Sequence, residues 1–137
     1  MEEISLKEVI LKVEKFHTSF GIENNYSPVA AIGEDEYKLR HRLMAEENNE
    51  YLEAAQNNDV VEVADALGDM LYILCGTILK HGMQDIIPEI FEEIQRSNMS
   101  KLGKDGQPIY REDGKVLKGA IYFTPDIKKI LVQNLSK

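Results

Sequence analysis

Two short acidic segments hold the residues of this chain that could do chemistry. Glu47 and Glu50 lie one helical turn apart in the first segment, and Asp65 and Asp69 lie one turn apart in the second. At about 100° per residue, each pair shares a helical stripe with apolar side chains. Carboxylates that face a protein interior are costly unless something positive meets them. No inward-facing lysine or arginine pairs with all four, so oxygen ligands in this number predict a magnesium or manganese site and an enzyme.

Apolar spacing predicts the helices that must position these acids. A first helix is expected over residues 4–20 and a second over about 35–56. Asp59 is the predicted N-cap of a third helix that ends at residues 81–82, and Pro88 lies in the first turn of a fourth. Because the connections are short, we expect an all-α fold, an antiparallel four-helix bundle in which the second and third helices bring the acid pairs opposite each other.

Two further expectations concern the third helix and the C-terminal part of the chain. The third helix is apolar all round from Ala66 to Leu79, so it should be the most buried element and should hide more surface by self-association. We therefore expect a homodimer or a dimer of dimers, with the active site near the interface. After Leu102, turn residues predict a loop or hairpin extension, and a short terminal helix should run from Pro125 to Leu135.

Composition limits the class of protein. The chain has 137 residues, of which 43% are hydrophobic and 29% charged, as in one ordinary globular domain. Its net charge of −8 argues against nucleic acid as the main partner. Cys75 is the sole cysteine, so there is no disulfide framework. The longest apolar stretch, residues 70–79, is too short to span a membrane, and the acidic start resembles no signal peptide, so we expect a cytoplasmic protein.

The acidic segments and their flanks resemble the all-α nucleoside triphosphate pyrophosphohydrolases, the MazG-like and phosphoribosyl-ATP pyrophosphohydrolase-like superfamily. Residues 47–50, Glu-Asn-Asn-Glu, are similar to its Glu-x-x-Glu motif, and residues 16–21 and 97–102 are similar to segments of a MazG-like branch. Its second motif, Glu-x-x-Asp, matches Glu62 with Asp65 by letter. If Asp69 is instead the aspartate of the motif, Ala66 stands at the glutamate position and Asp65, one residue earlier, would substitute for it. Both registers stay open. The resemblance covers about residues 1–102, which makes 1–137 a single domain with an extension over 103–137.

The resemblance implies a reaction and roles for the acids. The expected substrate is a nucleoside or deoxynucleoside triphosphate, with dUTP or a non-canonical deoxynucleotide preferred, and the products are the monophosphate and pyrophosphate. Magnesium or manganese would neutralise the phosphates and activate a water. The general base is expected to be Glu46 or Glu47. The expected metal ligands are Glu47, Glu50, Asp65, Asp69 and Glu62.

Other residues are expected to contact the substrate. They are Asn98, Lys101, Arg42, Lys118, His17 and Phe20. Each also has a simpler explanation, such as helix capping, a surface salt bridge, solubility or core packing.

Two other classes of protein fit part of the sequence. A di-iron carboxylate bundle would use a Glu-x-x-His motif, which Glu14 and His17 form, but it needs this motif on two helices. Neither His41 nor His81 has a glutamate three positions before it. A non-enzymatic helical interaction or regulatory module is the other alternative, and it predicts thermal stability that does not respond to magnesium.

Overall fold

The regular structure of the chain is helical. The computed structural model describes residues 2–135. Its helices are α1 (Leu6–Ser19), α2 (Glu34–Gln56), α3 (Val60–Lys80), α4 (Ile87–Met99) and α5 (Ile127–Leu135). Over this described range there is no strand, and the predicted hairpin is an antiparallel bridge between Tyr110 and Val116. The all-α prediction is confirmed, as are the four predicted helices, the C-terminal loop and the short terminal helix.

These elements form two compact units. The first unit ends at Asp85 and contains α1, α2 and α3, and the second begins at Ile86 and contains α4, the bridged loop and α5. Both acidic segments lie in the first unit. A single functional domain with a core over about 1–102 stays a prediction. None of the helices between residues 2 and 135 is long and apolar enough to cross a membrane.

Helices α2 and α3 form an antiparallel hairpin, joined by residues 57–59. The Oδ1 of Asp59 accepts a hydrogen bond from the backbone N of Glu62 at 3.1 Å, so Asp59 is the N-cap of α3, as predicted. Asn58, just before it, has a φ of 53°, a left-handed conformation that asparagine tolerates. Because the connection is so short, the two helices pack side by side. This packing brings the acidic segments together.

Helix α1 packs against α3 through a small apolar core. Ile10 and Val13 on α1 and Leu79 on α3 are all nearly inaccessible to solvent. Further along, the Phe16 ring meets the Tyr72 ring edge-on, with 5.6 Å between centroids. Two sides of α3 are therefore covered, one by α1 and one by α2.

Helix α3 has more buried residues than any other described helix, as predicted, but its third side is open. Leu67, Leu71 and Leu74 form a stripe at helical spacing, and they are 51%, 46% and 47% exposed. An apolar face of this kind has no partner within the first unit.

The loop between α1 and α2 closes the C-terminal end of α3. The backbone N of Asn25 donates to the carbonyl oxygen of Leu79 at 3.0 Å, and its side-chain Nδ2 donates to that of Lys80 at 2.6 Å. The backbone N of Val29 donates to the carbonyl oxygen of His81 at 3.0 Å. Carbonyl groups at a helix C-terminus lack hydrogen-bond partners within the helix. This loop supplies hydrogen-bond donors for these carbonyl groups of α3.

Gly82 should be the most sensitive glycine of this loop contact. Its φ is 66°, and an added Cβ would lie 2.1 Å from the carbonyl oxygen of Ser27. Gly21 is the matched control, because its φ is 71° but nothing lies within 4 Å of an added Cβ. We expect Gly21→Ala to cost about 1 kcal/mol from backbone strain, and Gly82→Ala to cost roughly 1–3 kcal/mol more from the clash. Urea denaturation followed by circular dichroism measures both, and equal losses would contradict the contact.

Candidate metal centre

Three carboxylates from α2 and α3 converge at one point of the hairpin. Glu47 and Glu50 on α2 and Asp69 on α3 each offer one oxygen, and these three oxygens all lie within 4.8 Å of one another. Glu47 and Asp69 are half-buried, and Glu50 is exposed. Oxygens at such separations can share a single hard cation with little rearrangement. We call these three residues the acid cluster.

Glu47 is the member of the acid cluster that most needs a positive partner. Burial is the largest cause that raises its pKa, and a hydrogen bond with Glu50 and the negative charges of Glu50, Asp69 and Asp65 raise it further. Its Oε2 is buried and has no hydrogen-bond partner in the protein. An unsatisfied buried polar atom costs about 1–3 kcal/mol. A divalent cation would satisfy this oxygen and offset the repulsion, so the residues present fit magnesium or manganese.

The two registers considered for the second acidic motif separate in space. Asp69 is in the acid cluster, whereas Asp65 and Glu62 are exposed and line a neighbouring cleft of about 420 Å³. The residues that line the cleft are Glu50, Glu53, Ala54, Asn57, Asp59, Glu62 and Asp65. Glu50 belongs to both the cluster and the cleft. Asp65 still acts on Glu47 through its charge.

Glu46 and Arg42 lie on the solvated side of α2. The Nε of Arg42 is 3.9 Å from the Oε1 of Glu46, and both side chains are more than half exposed. An exposed pair at this distance contributes little to stability. The roles expected for them, general base and phosphate contact, stay predictions.

The two aromatic candidates on α1 have different environments. His17 is 3% exposed, and its Nδ1 lies 2.6 Å from the Oδ1 of Asn24. Phe20 is 70% exposed and packs against Phe16 with 4.6 Å between ring centroids. In the structure His17 is therefore a packed core side chain, and Phe20 is the more accessible of the two. Their contact with a nucleobase stays a prediction.

The remaining substrate-contact candidates lie in the second unit. Asn98 is exposed in the last turn of α4, and Lys101 follows it half-buried. The carbonyl oxygen of Lys101 accepts from the backbone N of Gly119 at 2.9 Å, which brings Lys118 close to Lys101. The Nζ of Lys118 lies 4.8 Å from the centroid of the Tyr122 ring. These residues share one region of the second unit, and their contact with substrate stays a prediction.

A buried arginine next to the acidic stripe was missed from the sequence. Arg40 is 5% exposed, and its Nε donates to the Oγ1 of Thr77 at 3.2 Å. Burial lowers the pKa of Arg40, and the negative charge of Glu36 opposes that effect. The available signal was its spacing, since Arg40 lies two turns before Glu47 on the same face of α2. No pattern in the sequence indicated which residues of α3 Arg40 would contact.

Comparison with known proteins places this hairpin in a family. The model of the phosphoribosyl-ATP pyrophosphohydrolase family matches residues 13–98, which is more than half of the chain and includes the acid cluster. The chain belongs to this family, and the resemblance to the all-α nucleoside triphosphate pyrophosphohydrolases is confirmed. It is accordingly a pyrophosphohydrolase-type protein, of the class that hydrolyses nucleotide anhydrides.

A solved structure agrees with this assignment. The chain is similar to the crystal structure of a provisionally assigned NTP pyrophosphohydrolase from Exiguobacterium sp. 255-15. The two chains are 27% identical with a TM-score of 0.53, and the similarity covers 93% of this chain and 96% of that one. No functionally curated protein matches the chain.

Proposed function

We propose that this protein is a divalent-metal-dependent nucleoside triphosphate pyrophosphohydrolase. It cleaves the bond between the α- and β-phosphates and releases a nucleoside monophosphate and pyrophosphate. The observation that carries the proposal is the acid cluster, in which Glu47 has a buried oxygen without a partner. Family membership supports the anhydride chemistry. A cytoplasmic location, where nucleoside triphosphates are made and used, suits this reaction.

The acid cluster would hold magnesium or manganese. Glu47, Glu50 and Asp69 are the first ligands, and Asp65 and Glu62 in the adjoining cleft are available for a further ion. When bound, the metal neutralises phosphate oxygens and makes a bound water more acidic. The cluster faces solvent through the cleft, so a phosphate chain can reach it from that side.

Glu47 is the better supported of the two candidates for general base. It lies in the acid cluster and has two carboxylate oxygens, so one oxygen can bind the metal while the other accepts a proton. Glu46 is solvated, lies beside Arg42 and is outside the acid cluster, so it is less well placed to act on a metal-bound substrate.

Basic and polar side chains are proposed to contact the phosphates and the base. Residues 101–135 hold more basic than acidic side chains, whereas the hairpin of the first unit is strongly acidic. We assign phosphate or base contacts to Asn98, Lys101 and Lys118, and to Arg42, His17 and Phe20 in the first unit. The preferred substrate is dUTP or a non-canonical deoxynucleoside triphosphate. Phosphoribosyl-ATP, which gives the matched family its name, is the second candidate.

A di-iron centre has no support in the structure. Among residues 2–135, the cluster of histidine, cysteine or carboxylate groups close enough to hold a metal is Glu47, Glu50 and Asp69. His17, which the di-iron interpretation requires, pairs with Asn24 instead.

The test of the proposed function is a substrate panel. Purified protein is incubated with magnesium or manganese and with dUTP, dCTP, the common ribonucleotides or phosphoribosyl-ATP, and the products are separated by chromatography. The proposal expects a monophosphate and pyrophosphate in equal amounts from at least one substrate. Release of orthophosphate would contradict α–β cleavage, and no turnover of any substrate would favour the non-enzymatic helical module.

We further propose that a second copy of the chain covers the open face of α3, to give a homodimer or a dimer of dimers. Beside the stripe of Leu67, Leu71 and Leu74 lies an apolar groove of about 320 Å³, which Met44 and Met70 also line. Exposed apolar patches of this kind mark contact surfaces, and the net charge of −8 argues against nucleic acid as the partner.

Substitution of the stripe tests the dimer. Leu71→Glu places a charge on the open face without touching the acid cluster, so we expect wild-type protein to elute as a dimer or larger species and the variant to elute as a folded monomer. Size-exclusion chromatography with light scattering at micromolar concentration measures both. A monomeric wild-type protein would contradict the proposal.

A further inference from the structure

We propose that Arg40 is a positioning residue for the acid cluster. Its buried guanidinium, seated against Gly76, fixes the register of α2 along α3 and so holds Glu47 opposite Asp69. The inference rests on the proposed function, because it explains how the fold keeps the metal ligands of that function in place.

Arg40 bonds to two successive levels of α3. Its Nε donates to the Oγ1 of Thr77 at 3.2 Å, and its Nη2 donates to the carbonyl oxygen of Ile73 at 3.3 Å. Thr77 also donates from Oγ1 to the Ile73 carbonyl at 2.9 Å, so the three groups form one hydrogen-bonded set. A planar guanidinium that bonds to groups four residues apart fixes its position along the helix axis as well as the distance between helices.

The acid cluster depends on that axial position. Arg40 lies two turns before Glu47 on α2, and Ile73 lies one turn after Asp69 on α3. A slip of one turn would move the helices by about 5.4 Å, which exceeds the 4.8 Å that spans the carboxylate oxygens. The three-residue connection sets the approximate register of the two helices, and apolar contacts along the seam are non-directional. The hydrogen bonds of Arg40 are directional, so they fix the register within that range.

Gly76 provides the space that Arg40 occupies. A Cβ added at Gly76 would lie 2.9 Å from the Nη2 of Arg40 and 3.0 Å from the Nε2 of His17. Gly68, in the same helix, has nothing within 4 Å of an added Cβ. A glycine inside a helix is unfavourable relative to alanine. At position 76 a glycine is favoured because the side chains of His17 on α1 and Arg40 on α2 lie too close for an added Cβ.

Other polar groups compensate for the buried charge but do not set the register alone. Glu36 attracts Arg40 and also lies 3.4 Å from the Nζ of Lys80. Removing one partner of a buried ion pair is costly mainly because the other charge is left unpaired. Arg40→Met removes the hydrogen bonds to α3, but Glu36 keeps its pair with Lys80. This separates register from overall stability.

The test is Mn²⁺ binding to the full-length protein, measured by titration calorimetry, together with the melting temperature in EDTA. The variants are Arg40→Met and Gly76→Ala, and their matched controls are Lys38→Met, an exposed site on α2, and Gly68→Ala. We expect Arg40→Met and Gly76→Ala to bind Mn²⁺ at least tenfold more weakly than wild type, and both controls to stay within twofold. A merely structural role would lower the melting temperature in EDTA without changing the Mn²⁺ affinity of the folded protein.

The outcomes distinguish this inference from the proposed function. Wild-type protein that binds no Mn²⁺ would overturn the metal-dependent function and this inference with it. Wild-type binding that Arg40→Met retains within twofold would overturn the positioning role and leave the function standing. If Arg40→Met does not fold, Gly76→Ala decides, since it displaces the guanidinium without removing it. A folded Gly76→Ala protein with unchanged affinity would equally overturn the role.

Discussion

Replacing Glu47 with glutamine is expected to abolish turnover and to make the metal-free protein more stable. Loss of a residue that only supports a metal ligand typically reduces activity by up to about 100-fold. Loss of a ligand itself should therefore reduce kcat/KM by at least about 100-fold. In the absence of metal, the same change removes a buried negative charge that lies beside Glu50 and Asp69. The stability gain should be about 1 kcal/mol, the size of one charge–charge interaction at about 4 Å in water.

Steady-state assays with magnesium and urea denaturation in EDTA measure the two effects. Glu34→Gln is the matched control, because Glu34 is exposed in the first turn of the same helix and lies outside both the acid cluster and the adjoining cleft. It should change neither property appreciably. Glu50→Gln should also abolish turnover while the helical signal stays intact. Retained activity in Glu47→Gln, or a less stable metal-free protein, would contradict the role given to this residue.

Magnesium or manganese is expected to raise the melting temperature of the wild-type protein. A ligand that binds only the folded state adds about 2.7 kcal/mol at a hundred times its dissociation constant. For a chain of 137 residues this corresponds to a shift on the order of 10 °C. Differential scanning fluorimetry in EDTA and in excess metal measures the shift.

The variants of the acid cluster provide the control for this metal effect. Glu47→Gln should lose most of the shift, whereas Glu34→Gln should keep it. A non-enzymatic helical module predicts the same melting temperature with and without metal in all three proteins. That result would contradict the metal centre.

The helices and the meeting of the acids could be predicted because both depend on local pattern. Apolar spacing defines α1 and α2, and the side chain of Asp59 starts α3 where the sequence indicated. Once two helices are joined by a three-residue connection, stripes at matching distances from the turn must face each other. The approximate approach of Glu47 to Asp69 follows from this geometry, and the hydrogen bonds of Arg40 are proposed to fix the register.

The features that could not be predicted depend on contacts between distant segments. The burial of Arg40 depends on Gly76 and Thr77, more than 35 residues away, and no local signal pairs them. His17 is buried because Asn24 and α3 enclose it, a property that an aromatic segment does not reveal. The exposure of the stripe that contains Leu71 could not be predicted for a different reason. Hydrophobic side chains indicate that a surface should be buried, but they do not show whether the same chain or a second chain buries it.

The most direct test of the shared cation site is anomalous scattering from crystals soaked in Mn²⁺. We expect a strong anomalous peak between Glu47, Glu50 and Asp69, with carboxylate oxygens at coordination distance, and no peak there in Glu47→Gln crystals. A wild-type map with these three carboxylates splayed apart or bridged by water alone at saturating Mn²⁺ would contradict it.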